Sequence, residues 1–484
     1  MRIVTLPLMM VLFGAVIIPA CKSRQDPSGP GSAAAPPAAQ QSAGAASEPS
    51  DKADHACQGS EAKGPLEWFA DDYAAALACA RARNKPLLID FWAPWCHTCL
   101  SMKHTVLMDP GIAPLADRFV WVELDTDKEE TAAVQARLPV RVWPTFYVIA
   151  PADESVQARY LGSASVAQLR DFLLQGEKGF LATSDSLPQD SPLRAVRDGD
   201  QAIARGDLDA AALAYSSALS RAPADWPRRP DVLVSLINAY AQGDAWDKCV
   251  ALATAEMANT GASASTADFI YAATSCAGKL PGDPSTALIA TAVARLAGLI
   301  DDAAAPLSVD DRADAMRILR ELEIARGNED RALALARRQK ALLDEAAVAA
   351  PTAFAAMTYN WPRAEVYVFL GKAAELIPDL EKSIAALPNE YDPPYRLAWI
   401  HSKLGNHDQA LGFARKALEL VYGPRKARVQ SLIIDIQVER KDKAAERIAR
   451  QALIAIYEDL PASQQKPAAL QAARAALAAL DKHN

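Results

Sequence analysis

The apolar positions of this chain fall into three regimes. Residues 3–20 are an almost unbroken apolar run behind Arg2, interrupted by Pro7 and Pro19. Between residues 59 and 182, helical spacing alternates with short solid apolar runs. Phe69, Tyr73, Leu77 and Ala80 recur at helical intervals, which predicts an amphipathic helix over 66–83. Leu87 to Phe91, Phe119 to Leu124 and Thr145 to Ile149 are buried-strand patterns. The predicted order is helix, strand, a helix opening on two cysteines, strand, helix, proline, strand, hairpin strand, helix. From about residue 190 to 480 strand-like alternation disappears and helix pairs take over.

The pairs share a spacing: a Gly, an Ala five positions on, Ala or Ser twelve on, and sometimes Pro seventeen on. Gly206 is followed by Ala211, Ala218 and Pro223, Gly371 by Ser383 and Pro388, and Gly405 by Ala410 and Ala417. Gly371 and Gly405 lie 34 positions apart, and Gly243 and Gly327 head weaker copies. These segments resemble tetratricopeptide repeats, whose period is 34 residues. About six helix pairs are expected, stacked as a solenoid whose groove takes a peptide or protein ligand. Residues 279–310 keep the helical period without the signature. The fold class expected is therefore an α/β domain, a central sheet flanked by helices, followed by an all-α solenoid.

Composition narrows the function. Of 484 residues, 51% are hydrophobic and 23% charged, values of a globular protein. Lys plus Arg number 51 against 59 Asp plus Glu, a net charge of −8 that argues against nucleic acid as a partner. Residues 24–54 hold no aliphatic side chain larger than Ala and are rich in Pro, Ser, Gly and Gln. Such a segment cannot offset its ordering entropy and is read as a tether within 21–58, reaching on the order of 30 Å.

The first 20 residues read as a secretory signal. Ile18-Pro19-Ala20-Cys21 resembles the lipobox of bacterial lipoproteins, in which the cysteine is acylated. The resemblance implies lipidation at Cys21, a membrane-anchored protein in a bacterial cell envelope facing the periplasm, with Lys22 favouring the outer membrane. Plain secretion with an incidental cysteine, or an uncleaved anchor, is the competing reading.

The seven cysteines stand at 21, 57, 79, 96, 99, 249 and 276. Cys96-His97-Thr98-Cys99 places two sulfurs on one helical turn. The first sits at the helix N-terminus, where free N–H groups and the macrodipole favour thiolate and where the sulfur is expected to be exposed. A second ligand pair for zinc is missing, so no metal or other cofactor is expected. Cys249 and Cys276 fall at the start of one helix and the end of the next, which would level them for a structural disulfide in an oxidising compartment; two buried thiols are the alternative. Cys57 and Cys79 are a weaker candidate pair.

Asp90-Phe-Trp-Ala-Pro-Trp-Cys-His-Thr-Cys99, with Trp143-Pro144-Thr145 before a strand, resembles the thioredoxin superfamily over about 120 residues. Asn84-Lys-Pro and Met108-Asp-Pro-Gly are similar to the subfamily that includes the C-terminal domain of the interchange protein DsbD. The resemblance implies a thiol–disulfide oxidoreductase. Cys96 would be the nucleophile and Cys99 the resolving thiol. Pro144 would be a cis proline offering backbone to an extended client, and Asp90 a buried acid of raised pKa taking the Cys99 proton. Trp95 is a supporting residue, read with Trp92 and Trp121 as packing.

Three departures are visible. Glu123 stands where thioredoxin has a Lys, Lys103 stands where the DsbD-type domain has a second acid, and His97-Thr98 leaves the direction of electron transfer open. The partners implied are protein clients with disulfides or thiols and a redox partner that resets the pair. The alternative from another class is an adaptor lipoprotein in which the repeats carry the function and the cysteine pair is structural.

Overall fold

The computed structural model describes residues 56–182, 187–280 and 285–482. The expectations for the signal, for Cys21 and for most of the tether lie outside these residues. The end of the tether does not. Residues 56–58 belong to the folded unit, because Cys57 is disulfide-bonded to Cys79.

Six strands form one mixed sheet: β1 (Glu61–Lys63), β2 (Leu66–Ala70), β3 (Leu87–Trp92), β4 (Val120–Asp125), β5 (Thr145–Ile149) and β6 (Val156–Leu161). Their order is β1-β2-β4-β3-β5-β6, with β2, β4 and β3 parallel and the others antiparallel. Four helices pack on it: α1 (Tyr73–Arg83), α2 (His97–His104), α3 (Glu129–Arg137) and α4 (Val166–Leu181). Alternation along the strands sorts two cores. Trp68, Leu88, Trp121, Phe146 and Phe172 share one face; Phe69, Ile89, Phe91, Val122 and Tyr147 share the other.

The helix expected over 66–83 is corrected here. Leu66 and Trp68 are buried with Glu67 exposed between them, a strand pattern, and they form β2. Asp71 then turns the chain with a φ of 58°, and the Asp72 side chain caps α1 by accepting from the Ala75 N–H. Helical spacing across 69–80 counted residues from two elements as one.

Among the described residues the rest is mostly helical, and the pair count is of those residues. Seven antiparallel pairs follow: α5 (Pro192–Ala204) with α6 (Leu208–Arg221), α7 (Arg229–Gln242) with α8 (Trp246–Glu256), α9 (Ala264–Ala277) with α10 (Ser285–Asp301), α11 (Val309–Ala325) with α12 (Glu329–Ala349), then, after the short α13 (Ala353–Met357), α14 (Asn360–Phe369) with α15 (Ile377–Ala386), α16 (Asp392–Lys403) with α17 (His407–Leu420), and α18 (Lys426–Arg440) with α19 (Lys443–Glu458). A closing helix, α20 (Pro467–Lys482), packs on α19.

About six pairs were expected; the α18–α19 turn uses Lys441, at a φ of 58°, and the α7–α8 turn uses Asp244, at 55°, where the α5–α6, α11–α12, α14–α15 and α16–α17 turns use glycine. In the α16–α17 turn Gly405 takes a φ of 75°, and a Cβ there would meet nothing. Its requirement is the left-handed backbone, not space. The alanines five and twelve positions on, Ala410 and Ala417, are fully buried where the paired helices approach. Cys249 on α8 and Cys276 on α9 form a disulfide with Cα atoms 6.3 Å apart.

The helical array curls around the α/β domain and touches it at its start, middle and end. At the start, Leu161 of β6 joins the array's core. The Arg159 N–H donates to Asp200 at 2.9 Å, and the Tyr215 hydroxyl donates to the same carboxylate at 2.7 Å. In the middle, α11 and α13 lie on α2. At the end, the Tyr422 hydroxyl donates to Asp125, and Gln464 Nε2 donates to the Asp127 carbonyl at 3.0 Å. Gly423 must lack a side chain, because the Asp127 carbonyl occupies the place of its Cβ. No helix among the described residues is long and apolar enough to cross a membrane.

Two glycines of the same repeat separate backbone need from helix propensity. Gly405→Ala is expected to destabilise by about 1 kcal/mol through its left-handed φ. Gly412→Ala, in the open middle of α17, is expected to stabilise by up to about 1 kcal/mol. Denaturant unfolding of the two variants checks the opposite signs.

Candidate active site

Strand β3 ends at Trp92, and the chain turns through Ala93-Pro94-Trp95 into α2, whose N-cap is Cys96. Cys96 and Cys99 are joined as a disulfide, Cα atoms 5.2 Å apart. The Cys99 N–H donates to Cys96 Sγ at 3.0 Å. A thiolate formed on Cys96 would keep that donor and the free N–H groups of the first turn. The Trp143–Pro144 peptide bond is cis.

The expectation of an exposed Cys96 sulfur is corrected: Cys96 is 5% exposed and Cys99 1%. A helix N-terminus in an isolated α/β domain would face solvent. Here Trp92, Trp95 and Trp143 pack around the pair, and the helical array covers α2. Trp121 is a packing residue, fully buried against Trp68 and Phe119. Trp95 does more than pack. Its ring lies 5.3 Å from that of Trp143, its Nε1 donates to Asp127 at 2.9 Å, and the Arg425 guanidinium sits over it at 4.4 Å.

Beneath the pair, Asp90 on β3 is 2% exposed and its Oδ1 lacks a hydrogen-bond partner. Burial pushes its pKa up to about 6, held back by the Lys103 ammonium 3.8 Å away. Asp90 pairs in register with Glu123 on β4, and Lys103 from α2 bridges the two carboxyls with a close contact to Glu123. Glu123 loses more to Lys103 and Lys63 than burial adds, so its carboxyl falls below the usual range. The two departures noted in the sequence thus form one salt bridge under the redox pair.

His97, between the cysteines, points to the array. Its Nδ1 lies 2.8 and 2.9 Å from the two oxygens of Asp310 on α11, and its Nε2 lies 4.0 Å from Asp314, which Arg317 also binds. Burial alone would lower the His97 pKa; the Asp310 and Asp314 carboxylates overcome it and raise it to about 9. His97 is therefore an imidazolium at neutral pH, one residue from Cys96.

Cys96, Cys99, Asp90 and Pro144, singled out from the sequence, lie in one region with Asp310, Asp127, Tyr422 and Arg425, which the sequence did not single out. Ser308 and Asp311 do carry a legible signal, a capping box that opens α11. Nothing local says that this helix start meets α2.

A mixed sheet carrying a two-cysteine turn at a helix N-terminus, with a cis proline at the start of the neighbouring strand, defines a thioredoxin-like domain. The comparisons agree. A family model described as thioredoxin-like matches residues 67–151. Thioredoxin of Haemophilus influenzae is 31% identical over 90 residues, covering 19% of this chain and 78% of that protein. The chloroplastic thioredoxin-like protein CITRX of Solanum tuberosum is 33% identical over 91 residues, again 19% of this chain and 50% of that one.

The chain belongs to the thioredoxin family. It spans about half the length of the CITRX relatives it matches. Among solved structures, a tetratricopeptide repeat protein from Parabacteroides merdae is similar over 55% of this chain and 93% of its own, with 13% identity and a TM-score of 0.39. A tetratricopeptide protein from Thermus thermophilus is similar over 51% and 100%, with 16% identity and a TM-score of 0.26. The repeat assignment rests instead on the helix pairs and turns described above.

The His97–Asp310 contact has a pH signature. A histidine whose folded pKa is raised contributes stability that is fully present below about 6.5 and lost as pH rises through about 9. Asp310→Asn is expected to destabilise by about 3 kcal/mol at pH 6.5, as breaking a buried pair does. The gap to wild type should narrow between pH 6.5 and 9. Thermal unfolding at stepped pH reads this directly.

Proposed function

We propose that this protein is a lipid-anchored, extracytoplasmic thiol–disulfide oxidoreductase whose repeat array walls in its own redox pair. The observation that carries the reading is the Cys96–Cys99 disulfide at the N-terminus of α2, above a buried carboxyl that titrates near pH 6. In the reducing direction, the Cys96 thiolate attacks a client disulfide. The client S–S bond breaks, a mixed disulfide forms and one client thiolate leaves. Cys99 gives its proton to the Asp90 carboxylate and attacks the Cys96 sulfur. The second client thiolate leaves and the Cys96–Cys99 disulfide closes. The client gains two electrons, and a dithiol partner must return two to the pair. The imidazolium of His97 favours thiolate on its neighbour Cys96, which steepens the difference between the two sulfurs.

The Ile18-Pro-Ala-Cys21 motif supports the anchor and the cell-envelope location. Two further disulfides, Cys57–Cys79 and Cys249–Cys276, suit an oxidising compartment. Three stretches of the array are taken up by the α/β domain. We therefore assign the array first to shaping access to the pair, and to binding clients through that access.

The low exposure of Cys96 favours a second reading, an adaptor in which the pair is an inert structural disulfide. The two readings separate by experiment. A Cys99→Ser variant of the full chain is expected to accumulate mixed disulfides that dissolve with reductant, and Cys96→Ser to accumulate few or none. Equal trapping by both variants overturns the assigned roles. Refractoriness of the native Cys96–Cys99 bond to dithiothreitol until the protein unfolds supports the adaptor. For the anchor, Cys21→Ser should release the protein from membranes and abolish lipid labelling. Unchanged membrane association without lipid label in the parent would refute it.

A further inference from the structure

Beside the redox pair, the α/β domain and the end of the array enclose a cleft of about 400 Å³. Its floor at the cysteine end is Trp95 and Trp143, the residues that immediately precede Cys96 and Pro144. Its walls carry four cations. Arg141 comes from the α/β domain; Arg425, Arg428 and Lys466 come from the array. The one carboxylate in the lining, Asp127, accepts from Trp95 Nε1 at 2.9 Å. Arg141, Arg428 and Lys466 are exposed, and among the described residues none of the four has a carboxylate within ion-pair distance.

Arg425 is the sharpest of the four. Its guanidinium is stacked on Trp95, and its Nε is buried with no hydrogen-bond partner. A buried guanidinium donor left unmade is costly, more so than for a neutral group. The ring contact leaves that N–H without an acceptor. An arginine held over an aromatic ring, with its Nε–H left without an acceptor in the lining of a cationic cleft, is a preformed seat for a carboxylate. The lining carries four cations and one acid, Asp127, whose charge acts on Arg425 and Lys466, and Asp392 and Asp435 act on Arg425 and Arg428 from outside it, so the lining itself is left net positive beside Cys96.

Resting on the oxidoreductase reading and naming its substrate class, we propose that this cleft is the client groove and that it selects an extended acidic peptide segment carrying the reacting cysteine. The segment lies across Trp95 and Trp143 with a carboxylate on Arg425, and flanking acids meet Arg428, Lys466 and Arg141. The burial of Cys96 by the array then acts as a filter. A client sulfur reaches it along the cationic wall, and the same array that hides the pair supplies three of the four charges. A neutral or basic segment meets the same tryptophans but leaves the cations unpaired, which is how discrimination by charge arises.

The test uses the full chain and two readouts that report separately. Binding is measured by calorimetry with a short peptide in which serine replaces the cysteine, flanked by glutamates, and with its glutamine and lysine counterparts. Redox competence is measured by reduction of the neutral hydroxyethyl disulfide. The glutamate peptide is expected to bind at least tenfold more tightly than the glutamine one, to lose that advantage at high salt, and to lose it in the double variant Arg428→Glu with Lys466→Glu, whose two sites are exposed.

Arg425→Gln is expected to weaken acidic binding further. Should it unfold by circular dichroism, the surface double variant carries the test. Equal binding of the three peptides, or acidic binding that survives the double variant, overturns the proposal whatever the redox result. Failure of the pair to exchange in either direction, with hydroxyethyl disulfide or with its thiol, alongside charge-selective binding overturns the oxidoreductase reading alone.

Discussion

The burial of the α2 N-terminus between two domains is the constraint on which the rest of the structure turns. A thiolate site needs unsatisfied N–H groups, and unsatisfied groups under a protein wall are expensive. The fold resolves this by matching charge with charge across the interface. His97, desolvated between the two cysteines, is held as an imidazolium by Asp310 from a helix more than two hundred residues away in the chain.

The array earns its position through similar polar contacts at each end. Asp200 ties the Arg159 backbone and the Tyr215 hydroxyl at the β6 edge. Tyr422 and Gln464 hold Asp125 and the Asp127 carbonyl at the C-terminal end of β4. Burial lifts the Asp125 pKa to about 7 despite the Tyr422 hydrogen bond. Such groups add little net stability compared with apolar contacts, but each fits only one docking of array on domain. Apolar stacking of helix pairs makes the array; these polar contacts set where it closes.

Under the pair, the cation stands on α2 and the two acids it bridges stand on β3 and β4. Lys103 also lies 4.0 Å from the Trp92 ring, so it is held by an aromatic face as well as by two carboxyls. Asp90 remains the less ionised of the two acids, because Glu123 takes the shorter contacts to both lysines.

The elements that the sequence determined by itself are those governed by short windows. The two-cysteine turn, the proline before β5 and the Gly-then-Ala spacing of the repeats each depend on a few adjacent residues and a local backbone need. Where the local need could be met by another residue, as by Lys441 in the seventh pair or by Asp71 turning β2 into α1, the same reading went astray. The exposure of Cys96, the partner of His97 and the unpaired Arg425 on Trp95 were decided only by tertiary structure. They depend on how small rotations between successive helix pairs add up until the array comes back onto the α/β domain. That sum is distributed over nearly three hundred residues and leaves no mark in any single stretch of them.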